Sequence, residues 1–519
     1  MSGCNPFQPR FPARAAVLAL LGLTASVPSG HAQASIQALS ADALREDLEV
    51  FRTALGESHA GLYWYLPPAD LDRRLEAIED ALDRPMSARA FYRLLLPVVG
   101  ALGHGHTTLT LPVDGVGYRL RHLDAAGAYF PFAVRVLGGR LYVDADLSDA
   151  GDLAPGTEIL SVNGQPASVL LAAMRPLVSA DGFSGTYRAF RLGPNFEFHH
   201  LLDLLHGPAD TFSVDVLPLA GGAAARRGVP ASTPAQIAER YRERTGRGID
   251  EYPPALRSAP LVDRAALLTV GSFYEGRLGA GHPGFEAFLD STFRAIREGG
   301  VTDLVVDVRG NEGGNDDHVP LLYSYLADRP FALPDTPTEL ASASLSSLPY
   351  VEGPSDVVRA FAASPGDFVD RSADGAWTLK PAFDEARYRT FDPASDAFTG
   401  RLYVLTDGGS FSATNGFLDL VYRYHRGEGR SVRFVGEENG GDNARGLASG
   451  GQMIAVVLPN SGLRLSVPLL GVTRHLADTE PSATIPDHVV TPSVLDMVDG
   501  VDRALEFVLR LIDIAQGAP

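Results

Sequence analysis

Lysine is almost missing from this chain: of 44 basic residues only Lys380 is not an arginine. Chemistry that needs a lysine amine therefore has one candidate in 519 residues. Cysteine is equally scarce, and Cys4 lies ahead of an N-terminal apolar run. Its position excludes a disulfide framework, a thiolate nucleophile and a lipid anchor at the end of that run. Long hydrophobic runs are missing too. Ala15 to Val27 spans 13 residues, short of the roughly 18 a membrane helix needs, and no later stretch approaches that length, so membrane insertion is not expected. Positive charge is outweighed by 63 acidic residues, for a net charge of −19. That balance argues against nucleic acid or an anionic membrane surface as a partner.

The N-terminal segment reads as an address. Arg10 and Arg14 precede the apolar run, and the small-residue triplet Ala32-Gln33-Ala34 follows it, the pattern of a secretory signal peptide over residues 1–34. Cleavage after Ala34 would leave a periplasmic or extracellular chain and, with both arginines gone, take the charge from −19 to −21. With 45% hydrophobic side chains, the remainder has length enough for roughly two to four domains.

Apolar spacing organises the chain into three parts. Leu44, Leu48, Phe51 and Leu55 repeat at helical intervals, as do Leu71, Leu75, Ile78 and Leu82 after the capping candidate Asp70. A third helix is predicted from near Ser87, ended or kinked by Pro97. These make an N-terminal helical domain over 36–118. Alternating strands follow: Phe132 to Val136 and Leu141 to Val143 flank the turn signal Gly138-Gly139. Residues 120–200 form a β-rich domain, 201–260 a variable connection, and 261–515 a layered region in which strands at Leu267–Val270 and Leu304–Val308 alternate with a helix carrying Phe285, Leu289 and Phe293. The fold class is thus mixed α/β. Within the last part, 330–395 is rich in Pro, Ser and Asp and reads as an insertion placed like a lid.

Two segments carry the chemistry. Asp307-Val-Arg-Gly-Asn-Glu-Gly-Gly314 follows an apolar strand directly, which puts exposed backbone N–H groups at a strand's carboxyl end, where α/β proteins place their sites. About a hundred residues on, Leu402-Tyr-Val-Leu-Thr-Asp-Gly-Gly-Ser-Phe-Ser412 ends a second strand and begins a helix at Ser412. Ser412 reads either as the N-cap of that helix or as a nucleophile, its developing charge favoured by the helix dipole and the Ala413 amide. The first segment resembles the Asp-x-Arg-x-Asn-x-Gly-Gly motif of the C-terminal-processing (tail-specific) serine peptidases, in which a glycine amide helps form the oxyanion hole. The resemblance spans about residues 40 to 510, with Leu458-Pro-Asn-Ser-Gly462 as a weaker segment. It implies an endopeptidase with nucleophile Ser412, and an oxyanion hole from Gly313 or Gly314 together with Ala413.

A serine hydroxyl needs a base. Much of that family uses a lysine downstream of the serine, but the comparable segment here, Gly436-Glu-Glu-Asn-Gly-Gly-Asp442, has Asp442 where the lysine would stand, and Lys380 precedes the serine. The chain therefore resembles the lysine-free, tricorn-like branch, whose base is a histidine near the end of the helical domain. In Leu102-Gly-His104-Gly-His106-Thr-Thr-Leu109 the family position falls on His106. His104 is a secondary candidate: in an extended segment residues two apart share a side, so it is expected beside His106. A His-x-His pair also suits a metal, yet no third ligand with recognisable spacing accompanies it, and neither metal nor cofactor is expected. The branch also uses a glutamate, matched here by Glu480 in Glu480-Pro-Ser-Ala-Thr-Ile-Pro-Asp487, with an orienting role or, equally, that of a surface acid. Leu153-Ala-Pro-Gly-Thr-Glu-Ile-Leu-Ser-Val-Asn-Gly164 resembles a PDZ core, a strand and turn beside a groove for an extended polypeptide, or is an ordinary hairpin. The rival to an enzyme is an inert homologue that binds peptides or other ligands.

Overall fold

The computed structural model describes residues 38–517 except 183, 263, 280, 334–337, 384–388, 428, 443–444, 448–452 and 474–483. The expected signal segment 1–34 and Glu480 lie outside the described residues.

Helices α1 (Ala41–Ser58), α2 (Pro68–Ala81) and α3 (Ala88–Ala101) form where the apolar spacing places them. One local expectation fails, and of a second only one alternative, the ending of the helix at Pro97, is excluded. Pro67, not Asp70, precedes the first turn of α2, because proline's fixed φ suits a helix start and Asp70 then serves in that turn. Helix α3, capped by Ser87 accepting from Ala90 N, runs through Pro97 to Ala101. Strand β1 (Thr108–Thr110) follows immediately.

The β-rich part holds β2 (Phe132–Leu137), β3 (Arg140–Asp146) and β4 (Glu158–Val162), then α4 (Ala167–Met174), α5 (Gly185–Leu192) and α6 (Glu197–His206). Residues 201–260 are more ordered than a connection. They supply β5 (Thr211–Leu217) and β6 (Ala225–Pro230) to the same sheet, ordered β2-β3-β4-β5-β6, then α7 (Pro234–Thr245). The reason was in the sequence: Phe212, Val214 and Val216 alternate inward along β5.

The last part is a sandwich around one six-stranded sheet. Its strands β7 (Leu256–Pro260), β8 (Ala265–Val270), β9 (Asp303–Asp307), β10 (Arg401–Thr406), β11 (Val432–Gly436) and an edge strand His488–Val489 stand in that spatial order. Only the β7–β8 pair is antiparallel. Leu304, Val306 and Val404 pack against α8 (Phe285–Glu298), α9 (His318–Ser324) and α10 (Ala413–Val421) on one face. Val305, Tyr403 and Leu405 pack on the other against the C-terminal helix Arg503–Ala515. Burial on both faces explains the near-continuous apolar strands.

A smaller sheet ties the two ends of the chain together. Strand β12 (Met453–Val457) pairs with β13 (Arg464–Pro468), and β13 pairs with β1, Leu109 opposite Leu465. The turn between β12 and β13 is clamped by the fully buried Asp47 of α1, which accepts from Asn460 N at 2.9 Å and Ser461 N at 2.8 Å. Within 330–395, Ser346 N donates to Glu57 of α1, whereas Phe331 and Phe391 at the two ends of the segment pack in the core beside α9 and α10.

Candidate active site

The two glycine-rich turns after β9 and β10 are stitched to one another. The Asp407 carboxylate accepts from Gly310 N at 2.8 Å and Gly409 N at 2.9 Å. Ser410 Oγ donates to the Val308 carbonyl at 2.9 Å, and Phe411 N and Thr414 Oγ1 both donate to the Asn311 carbonyl. Asn311 spends its side chain on the same frame, donating to Val270 O and accepting from Gly313 N. Arg309 forks onto Asp307 and onto Asp502, the N-cap of the C-terminal helix. The parallel pairing of β9 with β10 brings these turns side by side at the carboxyl ends of the strands.

Ser412 sits at the sharpest point of the second turn, with φ 61° and ψ −121°. For a residue with a side chain this conformation costs roughly 1–3 kcal/mol, and the stitched turns hold it in place. Its side chain makes no cap bond to its own helix. Instead the Oγ lies 2.9 Å from Nε2 of His106, 306 residues earlier in the chain.

His106 stacks on Phe411 at 4.7 Å between ring centres, and Phe411 stacks on Tyr187 at 4.5 Å. Burial pushes its pKa down to about 4, so the ring is neutral and its Nε2 can accept a proton across the neutral range. Nδ1 is buried and has no hydrogen-bond partner among the described residues. Gly105 donates its N–H to Asp181 Oδ1 at 2.8 Å, and a Cβ there would fall 2.6 Å from the Phe411 ring. Glycine at 105 is thus required by the packing that holds the histidine.

Residues 104–107 form a turn rather than an extended segment, closed by Thr107 N to the His104 carbonyl, and the two rings have different partners. His104 is 2% exposed, with Nε2 at 2.8 Å from the Gly61 carbonyl and its ring against His59, Trp64 and Tyr65. Burial, and secondly His59, keep its pKa well below the usual range. Of the two, the structure brings His106 to Ser412.

Gly313 and Gly314 differ in what they offer. The Gly313 N–H already donates to Asn311 Oδ1 at 2.9 Å, and a Cβ on it would stand 2.7 Å from Ser412 Cβ and 2.8 Å from Ala413 N. Gly314, at φ 143°, lies against the Phe273–Tyr274 backbone, where a Cβ would meet Tyr274 N at 2.2 Å. Bonds from Phe273 N to Gly313 O and from Asn315 N to Phe273 O bracket it. Ala413 opens α10, at the positive end of the helix dipole.

Glu480 itself falls outside the described residues, but the chain four residues later is fixed to the site. Thr484 N donates to Asn439 Oδ1 at 2.5 Å, and Asn439 Nδ2 donates to Asn415 Oδ1 at 2.7 Å, in the first turn of α10. Asp442, at the position of the family's lysine, is buried and accepts from the Tyr65 hydroxyl. Lys380 Nζ donates to the Gly366 carbonyl within the insertion. Among the described residues no group of three or more His, Cys, Asp or Glu side chains could hold a metal, and no helix is long and apolar enough to cross a membrane. Sequence reasoning missed Asp181, Tyr187 and Phe411, which seat the imidazole. Only Phe411 had a signal, its place directly before the serine.

The layered α/β fold places a hydroxyl beside an imidazole at the carboxyl ends of two paired parallel strands. In fold the molecule is similar to mature CPAF, at TM-score 0.59 and 16% identity over 91% of this chain and 97% of that one. It is likewise similar to mature CPAF complexed with lactacystin, at TM-score 0.61 and 16% identity over 92% and 99%. No curated protein sequence matches the chain. Residues 264–446 match the model of peptidase family S41.

Proposed function

We propose that this protein is an exported serine endopeptidase that hydrolyses polypeptides with Ser412 as nucleophile and His106 as base. One observation carries the reading: Ser412 Oγ and His106 Nε2 stand 2.9 Å apart on a serine held at φ 61° rather than used as a helix cap. Ser412 Oγ attacks the scissile carbonyl and its proton passes to His106 Nε2. The carbonyl oxygen takes the charge and is held by the Ala413 and Gly314 amides, since Gly313 N–H is already engaged. As the C–N bond breaks, His106 gives the proton to the leaving amine. Water then attacks the acyl-enzyme by the same route, releasing the acid and restoring the hydroxyl. Glu480 fits an orienting role, because the segment it precedes is bonded to α10 through Asn439 and Asn415. The PDZ-like stretch around β4 would capture substrate, and the signal-like residues 1–34 are what support export.

The test is covalent. The folded protein lacking residues 1–34, treated with a serine-reactive fluorophosphonate and mapped by mass spectrometry, is expected to carry the adduct on Ser412. The Ser412→Ala variant should carry none and should not cleave an unstructured polypeptide. A folded protein that gives no adduct on Ser412 would refute the mechanism and leave the binding-protein reading in its place.

A further inference from the structure

A cleft of about 370 Å³ opens between α2, the end of α3, the segment 175–182 and α5. Three guanidinium groups line it: Arg74 from α2, Arg175 just after α4, and Arg188 from α5. None of them is ion-paired with a carboxylate among the described residues, in a chain with 63 acidic residues. The only hydrogen bond any of them makes there is from Arg188 Nε to the Val178 carbonyl, at a long 3.4 Å. Burial, and then the charge of Arg175, hold Arg188 below its ordinary pKa. Arg74 and Arg175 are exposed and Arg188 is half-buried, so the cleft presents hydrated guanidinium groups that an anion can reach from solvent.

The cleft shares a wall with the candidate active site. Gly103 and Gly182 line it and are bonded to each other, Gly182 N to Gly103 O at 2.9 Å. Gly103 is three residues before His106, hence at most about 11 Å from it along the chain. Asp181, next to Gly182, accepts from Gly105 N. Tyr65 lines the cleft too, and its ring touches His104. An extended peptide advances about 3.3–3.6 Å per residue, so the Gly103 wall of the cleft lies within about three extended substrate residues of His106.

We propose that Arg74, Arg175 and Arg188 form a subsite for a carboxylate of the peptide substrate, within a few residues of the scissile bond. The inference rests on the peptidase reading above. Planar guanidinium groups suit a carboxylate because they can meet both of its oxygens at once. The carboxylate could be an acidic side chain or the C-terminus, which share this chemistry.

The experiment separates the two sources from each other and from failure of the peptidase reading. One peptide series carries a single Glu walked through four positions on either side of a fixed scissile bond, with an amidated C-terminus. A second has no acidic side chain and a free or amidated C-terminus at varied distance from that bond. In the wild-type protein kcat/KM is expected to rise about tenfold at one position in one series. The rise in the Glu series assigns a side chain; in the other it assigns the terminus. In Arg175→Glu the ratio of carboxylate to amide peptide should fall to about one or below, with Arg74→Gln intermediate. Binding of the same peptides, dye-labelled, to the Ser412→Ala protein by fluorescence anisotropy should show the same ranking without any turnover. Uniform kcat/KM across both series, or a preference that survives in Arg175→Glu, overturns the subsite while hydrolysis still upholds the peptidase reading. No hydrolysis by the wild type, with the carboxylate preference present in anisotropy, refutes the enzyme and keeps the site. Equal binding of acid and amide peptides ends the proposal either way.

Discussion

At the scale of single residues, the environment of His106 decides how the site responds to acid. A free histidine titrates near 6.5, but burial pushes this one down to about 4. A lowered pKa means the neutral base persists further into acid. The acidic limb of kcat/KM for the wild type is therefore expected near pH 4, and a limb at 6.5 would show that the ring is hydrated in the working enzyme. His106→Ala should lose roughly 10² to 10⁴ in kcat/KM. His104→Ala should act differently, because its ring fills a buried slot and bonds the Gly61 carbonyl. Leaving that carbonyl unpaired costs roughly 1–3 kcal/mol, to be read from the urea midpoint, while the acidic limb of the pH profile stays where it is. Gly105→Ser is expected to depress activity although it adds a hydroxyl near the base, since its Cβ would lie 2.6 Å from the Phe411 ring that seats His106.

At the scale of elements, two turns carry predictions of stability. Asp47 holds the β12–β13 turn through the Asn460 and Ser461 amides. Asp47→Ala would leave buried donors unpaired at a cost of roughly 1–3 kcal/mol, measurable as a lower urea midpoint with an unchanged m-value. Glu437, just after β11, has its pKa raised to about 7, first by burial and then by Asp407. A carboxyl that ionises later folded than unfolded lowers stability as pH rises from its ordinary value towards 7. Glu437→Gln should therefore gain stability relative to wild type at pH 8 and not at pH 4, comparing midpoints at both. What the sequence disclosed follows the same division. Helices α1 to α3, the paired strands β9 and β10 and the turn at Ser412 were legible, because periodicity and glycine placement are local. The different partners of His104 and His106 were not, since they depend on a turn packed against Phe411 and Tyr65 from distant segments. Nor was Asp181, a lone acid whose role appears only when Gly105 N comes to meet it. The run of α3 through Pro97 shows the same limit: packing partners chose among conformations that local signals left open.

At the scale of the whole molecule, the helical part, the β-rich sheet and the β12–β13 hairpin share one core, in which Leu44, Phe91, Val134, Val214 and Val456 belong to a single cluster. Removing residues 120–200 should accordingly unfold the protein and abolish hydrolysis of small esters and polypeptides alike, with circular dichroism reporting the loss. Seven histidines, at 59, 104, 106, 122, 199, 200 and 425, have pKa values lowered chiefly by burial. Each takes up a proton near 6.5 when unfolded but resists it when folded, so stability is full above that pH and falls as pH drops through the interval below it. The slope is at most about 1.4 kcal/mol per pH unit for each histidine, and a urea midpoint unchanged from pH 7 to 5 would contradict it. The antiparallel pairing of β1 with β13 also sets an order of events on the ribosome. His106 emerges 306 residues before Ser412, which at roughly 5–20 residues per second is a delay of about 15–60 s. Even then the strand that registers β1 has not been made, for β13 begins only at Arg464. A nascent chain that already contains both residues thus still lacks the strand that registers β1, and the proposed site is completed late in synthesis, when nearly all of the polypeptide it could damage in itself is ready to fold.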